Sequence, residues 1–188
     1  MILASASPRR RELLSSLGAV FSVKICDVPE LAGVTEEFSA AGVPVENARR
    51  KAAAVAEMYP DEIVLGADTV IIFEEEIFGK PRDNADAVRM LNIFSGKEHY
   101  VVTAVSLIGK NAALECSWSC VTKVKFKKLT PEIINSYLSA VNVLDKAGAY
   151  AVQEHGDMII ETVDGELSNV IGLPLERLKR ELTLLGVI

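Results

Sequence analysis

Hydrophobic positions along the 188-residue chain change period repeatedly, and the changes mark its elements. Residues 63–73 form a nearly unbroken apolar run, Ile-Val-Leu-Gly-Ala-Asp-Thr-Val-Ile-Ile-Phe, as expected of a strand buried on both faces. Phe21, Val23 and Ile25 alternate with Ser22 and Lys24, which predicts a half-buried strand over 20–26. Further strands are expected over 2–4, 100–108, 114–126, 149–153 and 158–163, with a turn at 109–111. Val45, Ala48, Ala52, Val55 and Ala56 fall at helical spacing and predict a helix over 44–58. Caps delimit four more helices. Ser7 and Pro8 open 8–17, Asn84 opens 84–94, Thr130 and Pro131 open 131–138, and Pro174 opens 174–185. Residues 27–43, with Pro and Gly, read as a loop. The alternation gives an α/β fold, and the closely spaced later strands make its sheet mixed. No repeat or linker divides the chain, so residues 1–188 read as one domain.

Composition narrows the partners. Hydrophobic residues make up 49% and charged residues 24%, which suits a packed globular protein. The net charge of −6 opposes binding to nucleic acid or an anionic membrane, so a polyanion would need a local basic site. Three cysteines, an odd number, argue against a disulfide framework and for a reducing compartment. No apolar run reaches membrane-span length, and the N-terminal basic residues follow their short apolar stretch instead of leading it. The expectation is a cytoplasmic protein with no nucleic-acid or membrane partner.

Several segments break local rules in ways that suggest chemistry. Ser5, Ser7, Arg9, Arg10 and Arg11 crowd the start of the first helix, where partial positive charge already disfavours cations. A bound phosphate would reconcile them, since N–H groups, hydroxyls and guanidinium forks all suit an anion. Alternatively, the arginines splay into solvent or pair with distant carboxylates. Asp68 lies inside the apolar run, where a carboxylate is costly unless paired or metal-bound. Gly66 and Ala67 leave room for something to approach it; the plainer reading is a structural aspartate. Lys51 and Lys80, the latter in Gly79-Lys80-Pro81, each read alone as surface lysines. The segment from Asp145 to Gln153 is rich in small residues; it reads as a tight turn or as a site of close approach, with Gln153 able to donate and accept. Cys116-Ser-Trp-Ser-Cys120 lacks zinc spacing, His99 and His155 have no evident nucleophile, and Lys123 to Lys128 read as a solvated face. In the last helix Leu175, Leu178, Leu182 and Leu185 form a stripe suited to the core or, less simply, to a dimer face.

An ordered set of short motifs spans nearly the whole chain: Leu3-Ala-Ser-Ala-Ser-Pro-Arg-Arg10, Arg50-Lys51-Ala52, Leu65-Gly-Ala-Asp-Thr69, Gly79-Lys-Pro81, Asp145-Lys-Ala-Gly-Ala-Tyr150 with Gln153, and Asn169-Val-Ile-Gly-Leu-Pro174. Each is weak alone. Together they resemble the Maf family of nucleotide pyrophosphatases. The resemblance implies a long mixed sheet flanked by helices, in two lobes with a central cleft, similar to inosine triphosphate pyrophosphatases. It implies hydrolysis of nucleoside triphosphates to monophosphate and pyrophosphate, with Asp68 as proton acceptor. Ser5, Ser7, Arg10, Lys51 and Lys80 would bind phosphate, and a divalent ion (Mg²⁺ or Mn²⁺) would be held by Asp68 and Glu30. Arg9, Thr69 and Gln153 match the branch acting on dTTP and UTP, and a homodimer is consistent with the family. Two departures stand out: Asp27-Val-Pro-Glu30 lacks the usual adjacent acids, and Glu154-His155 separate Gln153 from Gly156. The rival readings are a pyrophosphatase for a purine or modified nucleotide, and a nucleotide-binding regulator of cell division. The acid and the cation cluster count against the regulator.

Overall fold

The structure, a computed structural model, describes residues 1–188. Its strands are β1 (Ile2–Leu3), β2 (Ser22–Val23), β3 (Val64–Phe73), β4 (Glu76–Phe78), β5 (Glu98–Gly109), β6 (Leu114–Phe126) and β7 (Ile160–Asp164). Its helices are α1 (Pro8–Ser16), α2 (Gly42–Met58), α3 (Asn84–Phe94), α4 (Pro131–Ala140), α5 (Leu167–Ile171) and α6 (Leu175–Leu184). The strands form one mixed sheet in the order β2-β1-β3-β5-β6-β7, with β4 also paired to β3. β1 runs parallel to β2 and β3, and every other pairing is antiparallel. No helix is long and apolar enough to cross a membrane.

β3 crosses from one packing region to another. Its first half packs with α1, α2 and α6, through Leu65 and Ala67 beside Leu14, Leu178 and Leu182, and through Val64 beside Ala52 and Val55. Its second half, from Ile71, joins Phe94, Phe126, Ile134 and Tyr137 in a separate core under α3 and α4. Asp68 falls between them, at the middle of the sheet, opposite Ala104 of β5. The expected α/β architecture with a mixed sheet is what the chain adopts. The leucine stripe of α6 is spent inside the protein, with Leu178 and Leu182 fully buried, so a homodimer would need another surface.

Two strand assignments differ from expectation. Only Ser22 and Val23 of the 20–26 segment pair with β1, and both are exposed at the sheet edge; β1 itself offers only two pairing residues. Residues 149–153 are not a strand. Ala147–Ala149 form a single tight helical turn in which Gly148 has φ +69° and Ala149 has φ +62°, so the backbone reverses. A β carbon on Gly148 would lie 2.1 Å from Ile71 Cδ1, which reserves that position for glycine. Strand β4 was not foreseen because its hairpin turn places Glu74 and Glu75 in the left-handed region, without the usual Asn-Gly signal.

His99 is a core residue. It is fully buried, its Nε2 lies 2.8 Å from the Tyr150 hydroxyl, and it packs on Phe94 with ring centroids 4.6 Å apart. Burial pulls its pKa down from 6.5 to about 4. The unfolded chain therefore takes up this proton first as pH falls. Stability is expected to be unaffected by His99 above its unfolded pKa of 6.5, and to decline by up to about 3 kcal/mol as pH drops toward about 4. Urea denaturation at several pH values checks this. His99→Phe should flatten the decline, and an unchanged slope in that variant would show that other groups cause it.

Candidate active site

The site is built upward from the contact between α2 and β3. A β carbon on Gly66 would lie 2.2 Å from the Ala48 carbonyl oxygen and 2.9 Å from the Ala52 nitrogen. The room beside Asp68 is thus filled by helix backbone. That close approach brings Asn47 and Lys51, one helical turn apart, onto the Asp68 carboxylate. Lys51 Nζ donates to Asp68 Oδ1 at 2.7 Å, and Asn47 Nδ2 donates to Oδ2 at 3.1 Å. Asp68 is buried, and these two donors offset the loss of water. Asn47 also holds the 27–41 loop, accepting from the Leu31 N–H at 2.8 Å and donating to the Leu31 carbonyl at 3.1 Å. Next to Leu31 in that loop, Glu30 reaches Lys51 Nζ at 2.8 Å.

The start of α1 forms the adjoining wall. Ser7 caps the helix, its Oγ accepting from the Arg10 N–H at 3.4 Å, with Pro8 following, as the sequence predicts. Arg10 does not offer an open fork to a phosphate. Its Nε donates to the Gly172 carbonyl, Nη1 to the Ala67 carbonyl and the buried Ser5 Oγ, and Nη2 to Thr69 Oγ1. Four of its five N–H groups are engaged, so Arg10 acts chiefly as a strut between α1, β3 and the loop before α6. Burial lowers its pKa, and the nearby Asp68 and Glu30 oppose that shift. Thr69 is similarly committed. Thr103 Oγ1 donates to the Asn169 carbonyl at 2.9 Å, so Thr69, 3.0 Å from Thr103, donates its hydrogen to Thr103. Toward the cleft, Thr69 can accept but not donate. Of the three arginines, Arg9 pairs with a distant carboxylate, Asp145, at 3.0 Å.

Lys80, Lys146, Tyr150 and Gln153 complete the lining of the cleft. A backbone hydrogen bond of 2.9 Å from the Gly148 N–H to the Gly79 carbonyl ties the Lys80 segment to the turn. The cleft between the walls has a volume of about 880 Å³, within the range of small-molecule sites. Ser5, Ser7, Arg9, Arg10, Glu30, Lys51, Asp68, Thr69, Lys80 and Gln153 all line it, while Arg11 is exposed outside it. A second hollow of about 400 Å³, between α2 and the β5–β6 turn, touches none of them. Sequence reasoning missed Asn47, although a polar residue within the buried stripe Val43, Pro44, Ala48, Ala52 and Val55 was a readable signal. It also missed Lys146 as a buried cation.

Glu30 and Asp68 are the two carboxylates that converge, both on the Lys51 ammonium. No group of three acidic, His or Cys side chains forms a metal cage. Two carboxylates fit Mg²⁺, which commonly takes one or two from the protein and the rest from phosphate and water. They do not fit a closed structural zinc site.

A buried carboxylate faced by an ammonium, serine hydroxyls, a helix start and a lysine, around a cleft of this size, defines an enzyme acting on a phosphorylated substrate. The comparisons with known proteins agree. Residues 1–185 match the family model described as Maf-like protein, and the chain belongs to the Maf family. It is similar to a protein named dTTP/UTP pyrophosphatase from Akkermansia muciniphila, 44% identical over 195 residues, covering 99% of this chain and 96% of that protein. A Bacillus cereus protein of the same name is 42% identical over 182 residues, covering 97% of this chain and 88% of its own. One from Bacillus anthracis, also 42% identical, is covered over 93% of its length.

Proposed function

We propose that this enzyme hydrolyses dTTP and UTP to the nucleoside monophosphate and pyrophosphate. The observation that carries the proposal is Asp68, buried at the middle of the sheet, held at both oxygens by Lys51 and Asn47 and lining a cleft of about 880 Å³. Each carboxylate oxygen keeps a lone pair beyond these bonds. Asp68 orients a water and takes its proton as the water oxygen attacks the α-phosphorus. The bond from that phosphorus to the bridging oxygen breaks, and pyrophosphate leaves. Lys51 and Lys80 offset the growing charge, while Ser5, Ser7 and the N–H groups opening α1 hold phosphate oxygens. A divalent ion, Mg²⁺ or Mn²⁺, would be held by Asp68 and Glu30 and would supply charge neutralisation on the phosphates.

Base choice rests on Gln153, with Thr69 and Arg9. Thymine and uracil present acceptor, donor, acceptor along one edge. A glutamine amide matches a carbonyl and the imide N–H, and Arg9 can donate to the second carbonyl. Cytosine reverses these groups, and each mismatch leaves unpaired a group that the bound base covers, at a cost of about 1–3 kcal/mol. The charge of −6 and the small-molecule cleft support a cytoplasmic enzyme without nucleic-acid or membrane partners.

Turnover of dTTP in ¹⁸O-labelled water tests the reaction type. The label is expected in the monophosphate and not in pyrophosphate, and exhaustive chelation is expected to stop turnover until Mg²⁺ or Mn²⁺ is restored. Orthophosphate as the first product would contradict attack at the α-phosphorus. Full turnover after chelation would remove the metal from the mechanism.

A further inference from the structure

Four charges of alternating sign link the start of α1 to the turn after Gln153, and three of them, Arg9, Asp145 and Lys146, line the cleft. Arg9 Nη1 lies 3.0 Å from Asp145 Oδ2, and its Nη2 donates to the Asp145 backbone carbonyl at 3.4 Å. The other carboxylate oxygen, Asp145 Oδ1, accepts from Lys146 Nζ at 2.9 Å. Lys146 Nζ also lies 3.2 Å from Glu154 Oε1. Lys146 is the fixed centre, with a side chain only 6% exposed. A buried ammonium is tolerated when its N–H groups are met, and three oxygens meet these, from Asp145, Glu154 and the Asn142 carbonyl.

This geometry transmits position in two directions. Toward α1, the locked Asp145 presents its second oxygen to Arg9. Burial alone would raise the Asp145 carboxyl, but Lys146 and Arg9 hold it below its ordinary value, so it stays charged. Toward the turn, Lys146 holds Glu154, the residue directly after Gln153. On the other side the Tyr137 hydroxyl accepts from the Ala151 N–H at 3.0 Å and donates to the Ala151 carbonyl at 3.4 Å. The backbone of Gln153 is therefore held from both sides. His155 follows with φ +53°, which closes the turn.

We propose that Arg9–Asp145–Lys146–Glu154 is a positioning relay that sets Arg9 and Gln153 relative to one another, and so sets selection of the uracil-type base. Asp145, Lys146 and Glu154 act through those two residues. Glu154 is the part of the relay that anchors Gln153. This deepens the dTTP and UTP reading and rests on it.

The test measures calorimetric binding of α,β-imido-dTTP and α,β-imido-CTP with Mg²⁺, alongside dTTP turnover. Asp145→Asn and Glu154→Gln are each expected to weaken the dTTP analogue about tenfold, to leave the CTP analogue unchanged within twofold, and to raise KM more than they lower kcat. In an Arg9→Ala background the Asp145→Asn effect should shrink to the share carried through Lys146 and Glu154, which a merely structural role would not produce. If Asp145→Asn does not fold, Glu154→Gln and its combination with Gln153→Ala carry the same comparison. Unchanged dTTP-analogue binding in the single variants overturns the relay. So does an equal tenfold loss in the Arg9→Ala background. Wild-type protein that binds the analogue but releases no pyrophosphate defeats the hydrolysis reading while the binding pattern still decides the relay. Wild-type protein that binds neither analogue overturns both.

Discussion

Asp68→Asn is expected to lower kcat for pyrophosphate release by about 10³-fold while the protein stays folded. A positioned general base contributes on the order of 10²–10⁴-fold, and an amide cannot take the proton of the attacking water. The substitution keeps size and shape inside β3. Its amide oxygen can still accept from Lys51, but its NH₂ then faces the Asn47 NH₂, so one hydrogen bond is lost. That loss costs roughly 1–2 kcal/mol of stability. Lys51 keeps Glu30 at 2.8 Å as its counter-charge. Single-turnover pyrophosphate release read beside thermal unfolding separates the two effects. A folded variant with near-full activity would assign the aspartate a structural role.

The second large effect is expected at Gly66. Gly66→Ala should destabilise the protein by at least about 3 kcal/mol, the upper end of ordinary overpacking. The added carbon would meet backbone, the Ala48 carbonyl at 2.2 Å, so no side chain can rotate out of its way. Helix α2 would have to move off the sheet. Asn47 and Lys51 would move with it, away from Asp68, so kcat should fall even in the folded fraction. Gly33→Ala is the control; nothing lies within 4 Å of its added carbon, and its effect should stay within about 0.5 kcal/mol. Equal stability of the two variants, measured by urea denaturation, would contradict the α2–β3 contact.

The sequence carried the site further than it carried the partners within it. Asp68 was visible because an acid interrupts an apolar run, and the start of α1 because Ser7 and Pro8 form a local cap. Both signals lie within a few residues. Arg10 was misleading because two of the groups that engage it lie 57 and 162 residues away, at the Ala67 and Gly172 carbonyls. Backbone carbonyls leave no trace in side-chain pattern. Gly66 beside Asp68 suggested space for a ligand, since a missing side chain does not say what fills the gap; here it is α2. The turn at 147–149 was hidden because Ala149 and Ala151 alternate as a strand would, while the left-handed backbone at Gly148 and Ala149 depends on packing against Ile71. Lys146 was hidden for a related reason: its burial depends on Glu154, in a different turn.

The most direct test is kcat/KM for dTTP, UTP, CTP, GTP and 7-methyl-GTP on one preparation, read as pyrophosphate release. Gln153 leads to efficient turnover of dTTP and UTP, with CTP at least about tenfold poorer. A preference for GTP or 7-methyl-GTP over dTTP and UTP would contradict it.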